Sequence, residues 1–120
     1  MYRDELLETV RQICAPGKGI LAADESTATI GKRFEKIGVE NTHQNRKDYR
    51  EILFTTPCLW DYISGIITYE ETLFDDDSSG SKMVKHLIDN EIVVGIKVDK
   101  GVKPLYGTDG ETVTQGIDGY

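Results

Sequence analysis

Apolar positions in this chain fall into two periods, and the places where one gives way to the other mark its elements. From Asp4 to Cys14, the residues Leu6, Leu7, Val10, Ile13 and Cys14 share one face at helical spacing, and Pro16-Gly17 stops the pattern. After the turn Gly17-Lys18-Gly19, the run Ile20 to Ala23 predicts a buried strand whose small alanines suit a crowded interior. Ile30, Phe34 and Ile37 then recur at i, i+4 and i+7, predicting a helix capped at its start by Ser26 or Thr27 and at its end by Gly38. A second helical stretch, about Asn45 to Phe54, places Tyr49, Ile52 and Leu53 on one face and ends before Pro57.

Ile63 to Tyr69 is rich in β-branched residues and predicts a second strand, followed at once by Glu70 and Glu71. A charged, turn-rich loop over Asp75 to Ser81 leads to a short helix face of Met83, Val84, Leu87 and Ile88 that ends near Asn90. Ile92 to Val98 predicts a third strand. From Gly101 to Gly119, glycine and threonine predict an ordered loop or hairpin that turns at Gly107 to Glu111. This order of helix, strand, helix pair, strand, helix, strand is that of an α/β protein with a parallel sheet and helical crossovers. Three such strands neither close a barrel nor complete a doubly wound sheet, so residues 1–120 read as an incomplete single domain.

Composition narrows the class further. A chain of 120 residues that is 38% hydrophobic can bury one modest core. A net charge of -7 argues against nonspecific binding to nucleic acid, while Lys32, Arg33, Lys36, Arg46, Lys47 and Arg50 are candidates for a local basic patch. Cys14 and Cys58 lie far apart and lack zinc-like spacing, which favours reduced thiols in a cytoplasmic protein. The N-terminus has neither the apolar core of a signal nor the character of a transit peptide, and no run is long enough to span a membrane.

The candidate chemistry gathers at the strand ends, where α/β folds keep their sites. Asp24 follows the first strand, Glu70 and Glu71 the second, and Lys97 and Asp99 belong to the third, projecting to the same side because successive residues alternate. Lys97 interrupts an apolar strand and is either paired with Asp24 or Asp99 or put to use, since an unpaired buried ammonium is costly. Asp24 is correspondingly a helix cap, a partner for Lys97 or a functional carboxylate. Ser26, Thr27 and Thr29 cluster at a helix start with Arg33 one turn on, a set of donors suited to a phosphate monoester and equally to ordinary capping. By pattern, Arg46 is an exposed first-turn residue. Neither His43 nor His86 has a second ligand at metal spacing, and the phosphate-loop pattern is absent around Lys18, so no metal site or nucleotide motif is assigned.

Read together, Gly17-Lys-Gly-Ile-Leu-Ala-Ala-Asp-Glu-Ser-Thr27, Ile30-Gly-Lys-Arg33, Glu40-Asn-Thr42, Asn45-Arg46, Glu71-Thr-Leu73, Gly95-Ile-Lys-Val-Asp-Lys-Gly101, Gly110-Glu-Thr112 and Gln115-Gly-Ile-Asp-Gly119 resemble the class I fructose-1,6-bisphosphate aldolases over nearly the whole chain. The resemblance implies the N-terminal part of a (β/α)8 TIM barrel, with an N-terminal helix and about three of its eight strands. It also implies reversible cleavage of fructose 1,6-bisphosphate to dihydroxyacetone phosphate and glyceraldehyde 3-phosphate in glycolysis. That reaction runs through a lysine Schiff base, without cofactor or metal, in a cytoplasmic enzyme that assembles as a homotetramer.

Residue by residue, the resemblance implies Asp24 as the active-site carboxylate that orients the iminium intermediate, and Lys97 as an active-site residue beside it. Ser26, Thr29 and Arg33 match phosphate-binding positions, Thr29 standing where many members have serine, and Arg46 matches a substrate-binding arginine. The Schiff-base lysine, the general acid/base carboxylate and a further active-site lysine belong to later strands in this family. The expectation is therefore an aldolase portion, from a longer product or a truncated isoform, that does not turn over alone. A noncatalytic interaction module is the alternative, because an open sheet exposes strand edges and an apolar face.

Overall fold

The computed structural model describes residues 2–116. Its centre is the strand Ile63–Thr68, in which Ser64, Gly65, Ile66 and Thr68 are buried. In chain order the elements are α1 (Tyr2–Ile13), β1 (Gly19–Ala23), α2 (Thr27–Glu35), α3 (His43–Phe54), α4 (Leu59–Tyr62), β2 (Ile63–Thr68), α5 (Glu70–Phe74), α6 (Met83–Asp89), β3 (Val93–Ile96), β4 (Val102–Pro104) and β5 (Thr112–Thr114). The first three strands form a parallel sheet in the order β1-β2-β3, as the strand and helix alternation predicts. Ala23 pairs with Thr68, and Thr68 with Ile96, so all three strands end level with one another.

Being buried, β2 must satisfy its polar side chains internally. The Ser64 hydroxyl donates to the Ile13 carbonyl at 2.6 Å, tying the end of α1 to the sheet, and the Thr68 hydroxyl donates to the Gly95 carbonyl at 2.7 Å. The core is the set Ala23, Phe54, Ile66, Met83, Leu87 and Ile92, where α3 and α6 cover one side of the sheet.

Several helical faces depart from the expected pattern. On α3 the buried residues are Arg50 and Phe54, whereas Ile52 is exposed, because the guanidinium finds carbonyl partners inside and the i, i+4 pair turns inward. On α1, Leu6, Leu7 and Val10 lie exposed; only the end of this helix, at Ile13, reaches the sheet. Helix α2 stops at Glu35, leaving Ile37 exposed in the turn that Gly38 closes with φ +68°. The short helices α4 and α5 were not expected, and β3 is shorter than the predicted Ile92 to Val98, so Lys97 is the first residue beyond it rather than within it.

The predicted hairpin is present as β4 and β5, antiparallel and turning through Gly107 to Gly110; Ile117 to Gly119 lie outside the described residues. Its base is closed by Lys100 N–H to the Gln115 carbonyl (2.7 Å) and Gln115 N–H to the Gly101 carbonyl (2.8 Å). Glycine is required just beyond: Gly116 has φ +99°, and a Cβ there would sit 2.6 Å from the Lys100 nitrogen.

Candidate active site

Asp24, Tyr69 and Lys97 are the first residues after β1, β2 and β3. Because Ala23, Thr68 and Ile96 are register partners, these three residues stand abreast at the carboxyl end of the sheet, and Lys97 N–H continues the ladder to the Thr68 carbonyl at 2.9 Å. With Glu25, Ser26, Thr29, Asp99, Lys100 and Gly101 they line a cavity of about 610 Å³. A cavity of about 670 Å³ at the amino end of the strands has, among the described residues, only Lys18 and Glu91 as charged lining. Chemistry, not size, therefore singles out the carboxyl end.

Lys97 forms its ion pair with Asp99, so of the two partners expected for it the near one is used. Asp99 also accepts from Gly101 N–H at 3.0 Å, and the Lys97 hydrogen bond, followed by this one, holds its carboxyl below the usual carboxylate range. Asp24 is neither the helix cap nor the partner of Lys97. Ser26 is the cap: its hydroxyl accepts from Thr29 N–H at 3.3 Å and shares a 3.1 Å hydrogen bond with the Thr29 hydroxyl. Asp24 thus lines the cavity with its structural alternatives already filled by other residues.

The two candidate arginines differ. Arg33, on α2, pairs with Glu25 and donates to the Tyr49 hydroxyl at 3.3 Å, and the charge on Glu25 raises its pKa. It is therefore coupled to the cavity through a lining residue. Arg46 is not the exposed first-turn residue its position predicts. Its Nε and Nη2 grip the two carboxylate oxygens of Glu71 at 2.8 and 3.0 Å, and its Nη1 donates to the carbonyl and side-chain oxygens of Asn41 at 3.2 and 3.0 Å. That fork holds the Glu71 carboxyl below its ordinary range and raises Arg46. Arg46 joins α3 to α5 and is not among the residues lining the cavity.

The structure thus brings Asp24, Ser26, Thr29 and Lys97 to one cavity, attaches Arg33 through Glu25, and leaves Arg46 to one side. Sequence reasoning missed Glu25, Tyr69 and Arg50. Tyr69 was legible as the residue ending a strand. Arg50 carried no such signal, since its burial depends on carbonyls far away in sequence: Nε donates to Ala23 O at 2.7 Å and Nη2 to Glu25 O at 2.8 Å. Burial pushes its pKa down, against the opposing pull of Glu25.

Comparison with known proteins identifies the family. The sequence model of the family described as fructose-bisphosphate aldolase class-I matches residues 5–120. The chain belongs to the class I fructose-bisphosphate aldolases. It is 56% identical over 117 residues to the cytosolic fructose-bisphosphate aldolase 7 of Arabidopsis thaliana, covering 98% of this chain and 33% of that protein. With a probable class 1 aldolase of Xanthomonas campestris the identity is 53% over 119 residues, covering 99% of this chain and 36% of the relative. An aldolase of Plasmodium falciparum, solved in complex with TRAP and a small-molecule inhibitor, superposes with a TM-score of 0.92 at 52% identity, over 97% of this chain and 33% of that one.

The chain therefore spans about a third of the length of the aldolases it matches. Its fold is part of an aldolase (β/α)8 barrel, with three parallel strands and their helices. Relatives include both cytosolic and chloroplastic aldolases. Among the described residues no helix is long and apolar enough to cross a membrane.

Proposed function

We propose that this chain forms one wall of the active site of a fructose-bisphosphate aldolase and that the imine-forming lysine comes from outside it. The observation that carries this reading is the placement of Asp24 and Lys97 abreast at the carboxyl ends of β1 and β3, facing one cavity, in a chain of this family. In the complete enzyme a lysine amine adds to the ketone carbon of fructose 1,6-bisphosphate and water leaves, giving an iminium. A general base, which in this family belongs to later strands, takes the proton of the C4 hydroxyl, the iminium accepts the electron pair of the C3–C4 bond, and glyceraldehyde 3-phosphate departs with C4 as its aldehyde carbon. Protonation of the resulting enamine and hydrolysis release dihydroxyacetone phosphate and restore the amine.

Within that sequence Asp24 provides a fixed negative charge beside the iminium and orients the substrate hydroxyls, while Lys97 supplies positive charge across the cavity. Ser26 and Thr29, at the start of α2, and Arg33 offer donors to a phosphate group. Arg46 acts as a structural link, its donors taken by Glu71 and Asn41. Neither lysine of the cavity suits the nucleophile's role: Lys97 is engaged by Asp99 and Lys100 is exposed, whereas an amine nucleophile is activated by desolvation or by a cationic neighbour. Assembly as a homo-oligomer and a cytoplasmic location complete the same proposal.

The test is activity of the complete aldolase carrying this chain beside that of the 120-residue chain alone. The complete enzyme is expected to cleave fructose 1,6-bisphosphate and to be inactivated by borohydride with dihydroxyacetone phosphate; turnover by the isolated chain contradicts the reading. The exposed apolar residues Leu6, Leu7 and Val10 on α1 favour a second reading, a noncatalytic interaction module. Sedimentation and denaturant unfolding separate the two, because an isolated chain that is a soluble, cooperatively folding monomer supports the module.

A further inference from the structure

Arg50 is the one charged side chain that is buried among the described residues, 1% exposed in the middle of α3. A buried cation is a costly way to fill space, and a core in which both it and its polar partners were replaced by apolar groups would be at least as stable, whereas removing the cation alone strands those partners. Its contacts indicate a different use. Nε donates to the Ala23 carbonyl at 2.7 Å and Nη2 to the Glu25 carbonyl at 2.8 Å, with the Glu25 carboxylate at 3.2 Å from the same nitrogen. These two carbonyls belong to the residues immediately before and after Asp24. One rigid, planar group thus holds the backbone on both sides of Asp24, and the chain there turns only by breaking charge-assisted hydrogen bonds in a buried setting.

We propose that Arg50 is a positioning residue that fixes the backbone at Asp24 and, through Glu25, the entry to the Ser26 cap of α2. Arg50 touches no substrate in this account; it acts through Asp24, and so the inference rests on the aldolase reading above. A lysine cannot replace it. Its ammonium is a point charge on a flexible stem and lacks the fork that spans two separate carbonyls.

The test uses the complete aldolase carrying this chain, with Arg50→Lys, Arg50→Met, Asp24→Asn and the Asp24→Asn/Arg50→Lys double variant. Arg50→Lys keeps charge and approximate volume, and carries the test should Arg50→Met fail to fold. The expected result is a fall in kcat on the order of 10- to 100-fold for Arg50→Lys with KM changed by less than about threefold, as misplacement of a catalytic group produces. In the double variant, Arg50→Lys is expected to add less than about twofold to the loss from Asp24→Asn alone, because both changes remove the same geometry.

A folded Arg50→Lys enzyme with wild-type kcat overturns the proposal, and so do losses that multiply in the double variant or an Arg50→Lys enzyme that cannot fold. A different outcome marks failure of the underlying reading. If the wild-type protein has no aldolase activity, or Asp24→Asn retains all of it, the aldolase role of this cavity falls and takes the positioning role with it.

Discussion

The exits of β1 and β3 border the same cavity and are built in opposite ways. At β1, the residues flanking Asp24 are bound by a guanidinium that is 1% exposed and lies on a helix 27 positions away from Ala23 in sequence. At β3, Lys97 pairs with a carboxylate only two residues on, with side chains 22% and 39% exposed, and the chain continues through Gly101 into a hairpin closed by two backbone hydrogen bonds at its base. The first exit is held by distant, buried contacts and the second by local, solvated ones. Buried interactions resist displacement and exposed pairs contribute little, so the backbone at Asp24 is held more firmly than the side chain of Lys97.

The largest effect expected from this difference is on stability. Arg50→Met leaves the Ala23 and Glu25 carbonyls without their buried donor and should cost on the order of 3–5 kcal/mol, read from denaturant unfolding of the complete enzyme. A loss below about 1 kcal/mol would erase the distinction between the exits. Next, Asp24→Asn should reduce kcat on the order of 10²- to 10³-fold, the scale for removing a preorganised charge or donor from a reacting centre, while leaving the unfolding midpoint nearly unchanged. Arg33→Ala should raise KM roughly ten- to a hundredfold with kcat kept, because a phosphate contact made equally in ground and transition states affects binding alone.

Smaller effects sharpen the comparison from outside the cavity. The Glu71 carboxyl is held below its ordinary value chiefly by Arg46, so its contribution to stability is complete above the unfolded glutamate value of about 4.3 and is lost as pH falls through the lower folded value. Thermal midpoints of wild type and Glu71→Gln should differ at neutral pH and converge below the ordinary glutamate range. A constant gap down to the lowest pH would show that the Arg46–Glu71 fork contributes no linkage. Smallest of all, Asp99→Asn should leave the denaturant midpoint of unfolding nearly unchanged, as befits a solvated pair, and a shift as large as that of Glu71→Gln would contradict this.

Much of this molecule was readable from its residues, and the boundary of what was readable has a physical cause. The Ser26 cap, the three strands and the core positions Ile30, Phe34, Met83 and Leu87 follow from local chemistry and periodicity, and the structure keeps them. Asp24 and Lys97 stood out because they end or interrupt apolar runs, and the level ends of the strands bring them to one cavity. The inward face of α3 was not readable, because an arginine turns inward only where carbonyls 25 and 27 residues away await it. Arg46 escaped for the same reason, its carboxylate partner lying 25 residues on. On α1 the amphipathic pattern was correct and the burial it promised is missing, since within these residues only Ile13 and its neighbours reach the sheet.

The most direct test is to locate the lysine that forms the imine. Dihydroxyacetone phosphate reduced onto the complete aldolase with borohydride, followed by proteolysis and mass spectrometry, marks that residue covalently. A single adduct is expected, on a lysine outside residues 1–120, with Lys97 and Lys100 unmodified. An adduct on Lys97 or Lys100 would contradict it.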